Sequence, residues 1–141
     1  MNSDRQPVGD DAGLRVLVVE DEYLVSLVLE DMLAELGHRM IGPVSDLTSA
    51  VAAAQRESMD VALLDLNLNG LESYPVAAAL TARGIPFLFA TGYGRQGLRE
   101  PYLNASTLKK PFEQGELESA LADVLAARDA GRADEGRSPE R

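Results

Sequence analysis

Apolar residues in this chain fall into two rhythms that take turns. Short unbroken apolar runs alternate with stretches in which apolar positions recur every three or four residues. Arg15–Val19 reads as a first strand. From Glu22 to Leu36, the residues Val25, Val28, Leu29, Met32 and Leu36 share one helical face, and Gly37 stops the helix. Arg39–Val44 is a second, weaker strand. Ser45 or Asp46 caps a helix reaching to about Glu57, with Leu47, Ala50, Val51 and Ala54 inward. Val61–Leu64 is a third strand. Pro75–Arg83 is a helix with proline in its first turn and Gly84 as its stop. Phe87–Ala90 and Ala105–Leu108 are the fourth and fifth strands, and Glu113–Ala127 is the last helix, with Leu117, Ala120, Leu121 and Val124 inward. Strands that alternate with helices predict an α/β fold, a five-stranded parallel sheet with helices on both faces.

The 141 residues suit one domain with a proper core. Residues 1–13 are polar and carry Gly and Pro, which predicts a flexible leader. The domain proper is expected over residues 14–127. From Arg128 to Arg141 no apolar periodicity remains, and that segment is expected to be a disordered tail. No second domain follows the last helix in this reading.

Charge and residue types narrow the chemistry. With 13 basic and 23 acidic residues the net charge is −10, which argues against nucleic acid and against an anionic membrane surface. There is no cysteine, so thiol catalysis and thiolate metal sites are excluded, and the single His38 rules out a multi-histidine metal site. Neither a long apolar run nor an apolar signal core is present, so a cytoplasmic location is expected.

On a parallel sheet, ligands bind beyond the carboxyl ends of the strands. The first strand ends in Glu20, Asp21 and Glu22; the third in Asp65, Leu66 and Asn67; the fourth in Thr91; the fifth in Lys109, Lys110, Pro111 and Phe112. One edge of the sheet thus receives carboxylates, a hydroxyl and a lysine. Packed carboxylates repel one another unless a cation lies among them. A hard divalent ion with oxygen ligands, Mg²⁺ above all, answers that need and leaves room for a phosphoryl group. Asp65 follows a wholly apolar strand and is the best-placed nucleophile, able to form an aspartyl phosphate. Thr91 and Lys110 are the residue types that stabilise charge on phosphoryl oxygens.

Taken together, "VVEDE", "LLDLNLNG", "FATG" and "KKPF" resemble the receiver domain of bacterial response regulators, over residues 14–127. The resemblance implies a flavodoxin-like fold of strand order 2-1-3-4-5. It implies that Asp65 is phosphorylated by a sensor histidine kinase or a histidine phosphotransfer protein. Glu20 and Asp21 match the family's acidic pair, with Asp21 favoured as the direct Mg²⁺ ligand; Asp65 itself and the backbone carbonyl of Asn67 complete the metal set. Thr91 would bond the phosphoryl oxygen, Lys110 would pair with Asp65 and then with the phosphate, and Pro111 would follow a cis bond.

The stretch "PFLFATGYG" is similar to a receiver subgroup with a Phe-Ala-Thr-Gly-aromatic motif, often single-domain proteins. In many receivers an aromatic switch lies three residues before the fifth-strand lysine; that position is Thr107 here, and Tyr93 takes its place in the motif. Gly92 and Gly94 would let the loop around Tyr93 change its backbone state. Gly97 and Pro101 leave little room for a fourth helix, which is expected to be short or mobile.

The expectation is a single-domain response regulator of a two-component system or phosphorelay. It would be an acceptor that signals by phosphate relay or by binding a downstream protein target, and not an enzyme with an external substrate. Two rivals stand beside it. One is a pseudo-receiver that never takes phosphate. The other is an aspartate-nucleophile phosphatase, which wants an aspartate two residues after the nucleophile, where this chain has Asn67.

Overall fold

The computed structural model describes residues 13–137. Residues 1–12, nearly all of the expected leader, lie outside the described residues, as do residues 138–141. In chain order the elements are β1 (Arg15–Val19), α1 (Tyr23–Glu35), β2 (Arg39–Val44), α2 (Leu47–Arg56), β3 (Val61–Asp65), β4 (Asn67–Leu68) and β5 (Leu71–Glu72). They continue with α3 (Tyr74–Arg83), β6 (Phe87–Thr91), a single 3₁₀ turn (Gly94–Gly97), β7 (Thr107–Lys109) and α4 (Gln114–Arg137).

The main sheet has five strands in the order β2-β1-β3-β6-β7, and every pairing within it is parallel. That is the expected 2-1-3-4-5 arrangement of a flavodoxin-like receiver fold. Residues of β1 alternate between its two faces. Leu17 and Val19 pack with Ala62, Leu64 and Phe89 against α2 and α3, through Ala50, Ala54, Val76, Ala77 and Leu80. Val16 and Val18 pack with Val61, Leu63 and Leu88 against α1 and α4, through Leu29, Leu33, Leu117 and Leu121. Two apolar faces explain why β1 and β3 read as unbroken apolar runs rather than as an alternation.

The helix signals act as the residue types dictate. Asp46 caps α2, its Oδ1 accepting from the Ser49 N–H at 2.8 Å. Pro75 sits in the first turn of α3, and Gly84 ends it.

The differences from expectation are local. The fifth strand begins at Thr107, not Ala105, because Ala105 is drawn into a turn by its own N–H bond to Tyr102 and by Arg95, which donates to its carbonyl. Where a fourth helix would stand there is only the 3₁₀ turn, so the short-helix expectation describes the fold. The expected tail is a correction. Helix α4 does not stop at Ala127 but continues through Arg128 to Arg137. The residues after Ala127 carry no apolar stripe, yet the alanines and arginines among them favour a helix without one.

A two-residue hairpin, β4–β5, stands beyond the end of β3. Its turn is Asn69–Gly70, with φ of 50° and 89°. Two successive left-handed residues are what an Asn-Gly hairpin turn requires. This hairpin forms one wall of the site.

Candidate functional site

Parallel register carries four strand ends to one edge. Val19 stands beside Leu64, Asp65 beside Ala90, and Thr91 beside Lys109. Glu20, Asp21, Asp65, Thr91 and Lys110 therefore converge although they span 90 positions of the chain. A cleft of about 230 Å³ opens beside Asp65, Thr91 and Lys110, and its walls also include Asn67, Glu72 and Gly97.

Asp65 and Glu20 are both buried, 8% and 3% exposed. Buried carboxylates need donors. Lys110 supplies one ammonium to two acids: its Nζ lies 3.2 Å from Glu20 Oε1 and 3.4 Å from Asp65 Oδ2. The Asn67 N–H donates to Asp65 Oδ1 at 3.3 Å, and the Glu22 N–H donates to Glu20 Oε2 at 3.1 Å. Asp21 takes an N–H from the hairpin turn, Asn69 to Oδ2 at 2.9 Å. One carboxylate oxygen from each of Glu20, Asp21 and Asp65 lies within 4.8 Å of the other two.

This crowding sets the proton affinities. Burial and the negative charge of Glu20 push the Asp65 carboxyl up to about 7, against the pull of Lys110 and of the Asn67 N–H. Burial works against the Lys110 ammonium, but the charges of Asp65 and Glu20 outweigh it and hold the lysine above its ordinary value. One lysine thus compensates only part of the acidity around it.

Thr91 is buried, and its Oγ1 accepts the Tyr93 N–H at 3.0 Å. Its own O–H remains as a donor on the cleft wall. Tyr93 is 76% exposed, and Gly94 beside it adopts a left-handed φ of 61°. Gly92 has open space where a side chain would stand. Asn67 spends its side chain on the hairpin, its Oδ1 accepting from the Gly70 N–H at 2.8 Å. The Lys110–Pro111 peptide is cis. Lys109 is exposed, and His38 lies away from the cleft, its Nδ1 accepting the Leu14 N–H at 3.1 Å.

Sequence reasoning missed the hairpin and what surrounds it. The Asn-Gly pair between alternating residues of "LNLNGLE" is a strong hairpin signal and could have placed it. Glu72 on the cleft wall, and Tyr74 and Arg99 against it, gave no such signal, because their contacts join distant segments.

A carboxylate, an ammonium, a hydroxyl donor and an acidic pair thus share the carboxyl edge of a parallel sheet, the groups that phosphoryl chemistry on a carboxylate calls for. Known proteins agree on the family. The model of the response regulator receiver domain matches residues 16–122. The solution structure of SdrG from Sphingomonas melonis Fr1 is similar at 40% identity and a TM-score of 0.72, covering 81% of this chain and 98% of that one. The receiver domain of sensor histidine kinase PA1611 from Pseudomonas aeruginosa, which holds a magnesium ion in its active-site cleft, is similar at 34% identity and a TM-score of 0.70, with the same coverage. The transcriptional regulatory protein TcrA of Mycobacterium tuberculosis is 35% identical over 115 residues, 78% of this chain and 45% of that protein. The chain spans about half the length of the curated relatives it matches. Residues 16–122 place this chain in the response regulator receiver domain family of two-component signalling.

Proposed function

We propose that Asp65 accepts a phosphoryl group, with a divalent cation held beside it, and that the phosphorylated chain signals by binding or by passing the group on. The observation that carries this is the Lys110 ammonium lying between Glu20 and Asp65, with the Thr91 hydroxyl on the same cleft. In the transfer, an Asp65 carboxylate oxygen forms a bond to phosphorus, and the bond from phosphorus to the donor atom breaks. The electron pair of that bond leaves with the donor: an acyl phosphate releases its carboxylate as the anion, and a phosphohistidine releases its imidazole nitrogen, which leaves as neutral imidazole with one ring nitrogen protonated. Lys110 and Thr91 supply an ammonium and an O–H to the phosphoryl oxygens as their charge develops.

The donor set fits Mg²⁺: three mutually close carboxylates, incompletely neutralised, are hard oxygen ligands of the kind that ion takes. Asp21, Glu20, Asp65 and the Asn67 carbonyl would hold it. Bound there, Mg²⁺ would supply charge compensation to the carboxylates and to the phosphoryl oxygens.

A phosphodonor protein must reach Asp65 from the carboxyl edge, where α1 offers an apolar face. Tyr23 and Leu24 are 72% and 73% exposed, and a groove beside Lys110 is lined by Leu24, Val25, Val28, Pro111 and Phe112. That face suits a sensor histidine kinase or a histidine phosphotransfer protein. A cytoplasmic location, where ATP-derived phosphoryl groups are available, belongs to this reading; among the described residues no helix is long and apolar enough to cross a membrane. The chain is an acceptor in this reading, with no external substrate to turn over.

Intact mass tests the proposal. With Mg²⁺ and acetyl phosphate the wild type should gain one phosphoryl group and Asp65→Ala none. No gain in the wild type would favour a module that never takes phosphate.

A further inference from the structure

Glu72 and Arg99 are 27 positions apart and meet at the mouth of the cleft. Glu72 lines the cleft together with Asp65, Thr91 and Gly97. Arg99 belongs to the loop between β6 and β7. Its Nη2 donates to Glu72 Oε1 in an ion pair. Its backbone N–H donates to the Tyr74 hydroxyl at 2.9 Å, and its guanidinium carbon lies 5.5 Å from the centre of the Tyr74 ring. Three contacts of different kinds tie one loop residue to the corner between β5 and α3.

The rest of the loop is held in line with it. Tyr102 stacks on Tyr74 with ring centres 5.1 Å apart and planes 5° from parallel. Leu98, next to Arg99, is buried in the core. Gly97, the next residue back, approaches so closely that a Cβ there would stand 3.2 Å from Thr91 Oγ1 and 3.3 Å from Leu66 Cδ2. The loop therefore presses on the cleft hydroxyl at Gly97 and is fastened at Arg99, which bonds to neither Thr91 nor Asp65.

We infer that Arg99, through Glu72 and Tyr74, positions the Gly94–Gly97 turn over the cleft and so sets how fast a phosphoryl group reaches Asp65. Arg99 is a positioning residue: it acts through the loop. The inference about rate rests on the proposed role of Asp65; the inference about the loop does not.

Two readouts on Arg99→Gln, Glu72→Gln and the double variant test it. Backbone amide hydrogen exchange, read without metal or donor, follows Leu98 and Tyr102, whose N–H groups bond to the carbonyls of Arg95 and Arg99. Intact mass follows the rate of phosphoryl gain from acetyl phosphate with Mg²⁺. Each single variant should speed both by about threefold, the scale of an exposed ion pair. The double variant should be no faster than either single one, and Arg99→Lys, which keeps the charge, should stay closer to wild type than Arg99→Gln. Unchanged exchange in the single variants overturns the inference. So do effects on rate that multiply in the double variant, since Glu72 would then act on the phosphoryl group directly. A wild type that gains no phosphoryl mass overturns the Asp65 reading and the rate claim with it, while exchange still decides whether Arg99 positions the loop.

Discussion

Lys110 Nζ lies 3.2 Å from Glu20 Oε1, joining the ends of β1 and β7 across 90 positions of sequence. Glu20 is almost fully buried, so the pair is a buried charge with its compensating partner and not a surface ornament. Removing one member of such a pair leaves the other uncompensated, which costs about 3–5 kcal/mol in well-buried cases. Lys110 retains some exposure, so Lys110→Met should cost less, about 1–3 kcal/mol, at pH 8 without divalent cation. Chemical denaturation at pH 8 and pH 5 checks this. The loss should shrink at pH 5, where protonation of Asp65 relieves the crowding.

Asp65 itself should behave in the opposite sense. Its carboxyl has an ordinary value of 3.8 and is pushed up to about 7 in the fold. Between those values the folded chain keeps a proton that the unfolded chain has released. Stability attributable to Asp65 therefore falls as pH rises through that window, and the whole penalty is present above it. Asp65→Asn should raise stability at pH 8 without metal, by about 1–3 kcal/mol, and leave it nearly unchanged at pH 4. Thermal denaturation across that range reads it directly; an Asn variant less stable than wild type at pH 8 would contradict the crowding.

Mg²⁺ should oppose the same penalty. At tenfold above its dissociation constant, a ligand of the folded state adds ~1.4 kcal/mol, or about 3–6 °C in melting temperature for a chain of this size. Asp21→Asn should lose most of that gain while keeping the fold, because the Asn69 N–H can still donate to the amide oxygen at that position. Melting curves with and without Mg²⁺ measure it.

Gly97→Ala isolates the contact between the loop and Thr91. No left-handed backbone is involved at Gly97, so the whole effect comes from a methyl group 3.2 Å from Thr91 Oγ1 and 3.3 Å from Leu66 Cδ2. Both neighbours are buried and must give way, at a cost of about 1 kcal/mol. The methyl resonance of Thr91 should shift together with the fall in denaturation midpoint. A variant that lowers stability and leaves Thr91 unmoved would place the strain elsewhere.

The sheet and its site edge were legible because each rests on local pattern. Val61–Leu64 is apolar on both faces, and the polar residue that follows it, Asp65, had to emerge at the carboxyl edge. Glu20 and Thr91 were found in the same way, as the first polar residues past their strands, whereas Lys110 stands behind Lys109 and was singled out from that pair by the resemblance to receiver domains. The continuation of α4 beyond Ala127 was not legible, since those residues carry no apolar stripe to read. Nor was the Glu72–Arg99 ion pair, whose partners are related only by the fold. For Tyr93 the sequence showed an aromatic ring between glycines, while its exposed ring was set by the turn geometry around it.

The phosphoacceptor role of Asp65 is the centre of the account, and reductive trapping tests it at the residue level. The chain is treated with Mg²⁺ and acetyl phosphate, reduced with borohydride, digested and mapped by peptide mass. Borohydride converts an aspartyl phosphate to homoserine. The account predicts homoserine at position 65 and at no other aspartate. Unchanged Asp65, or homoserine at Asp21 instead, would contradict it.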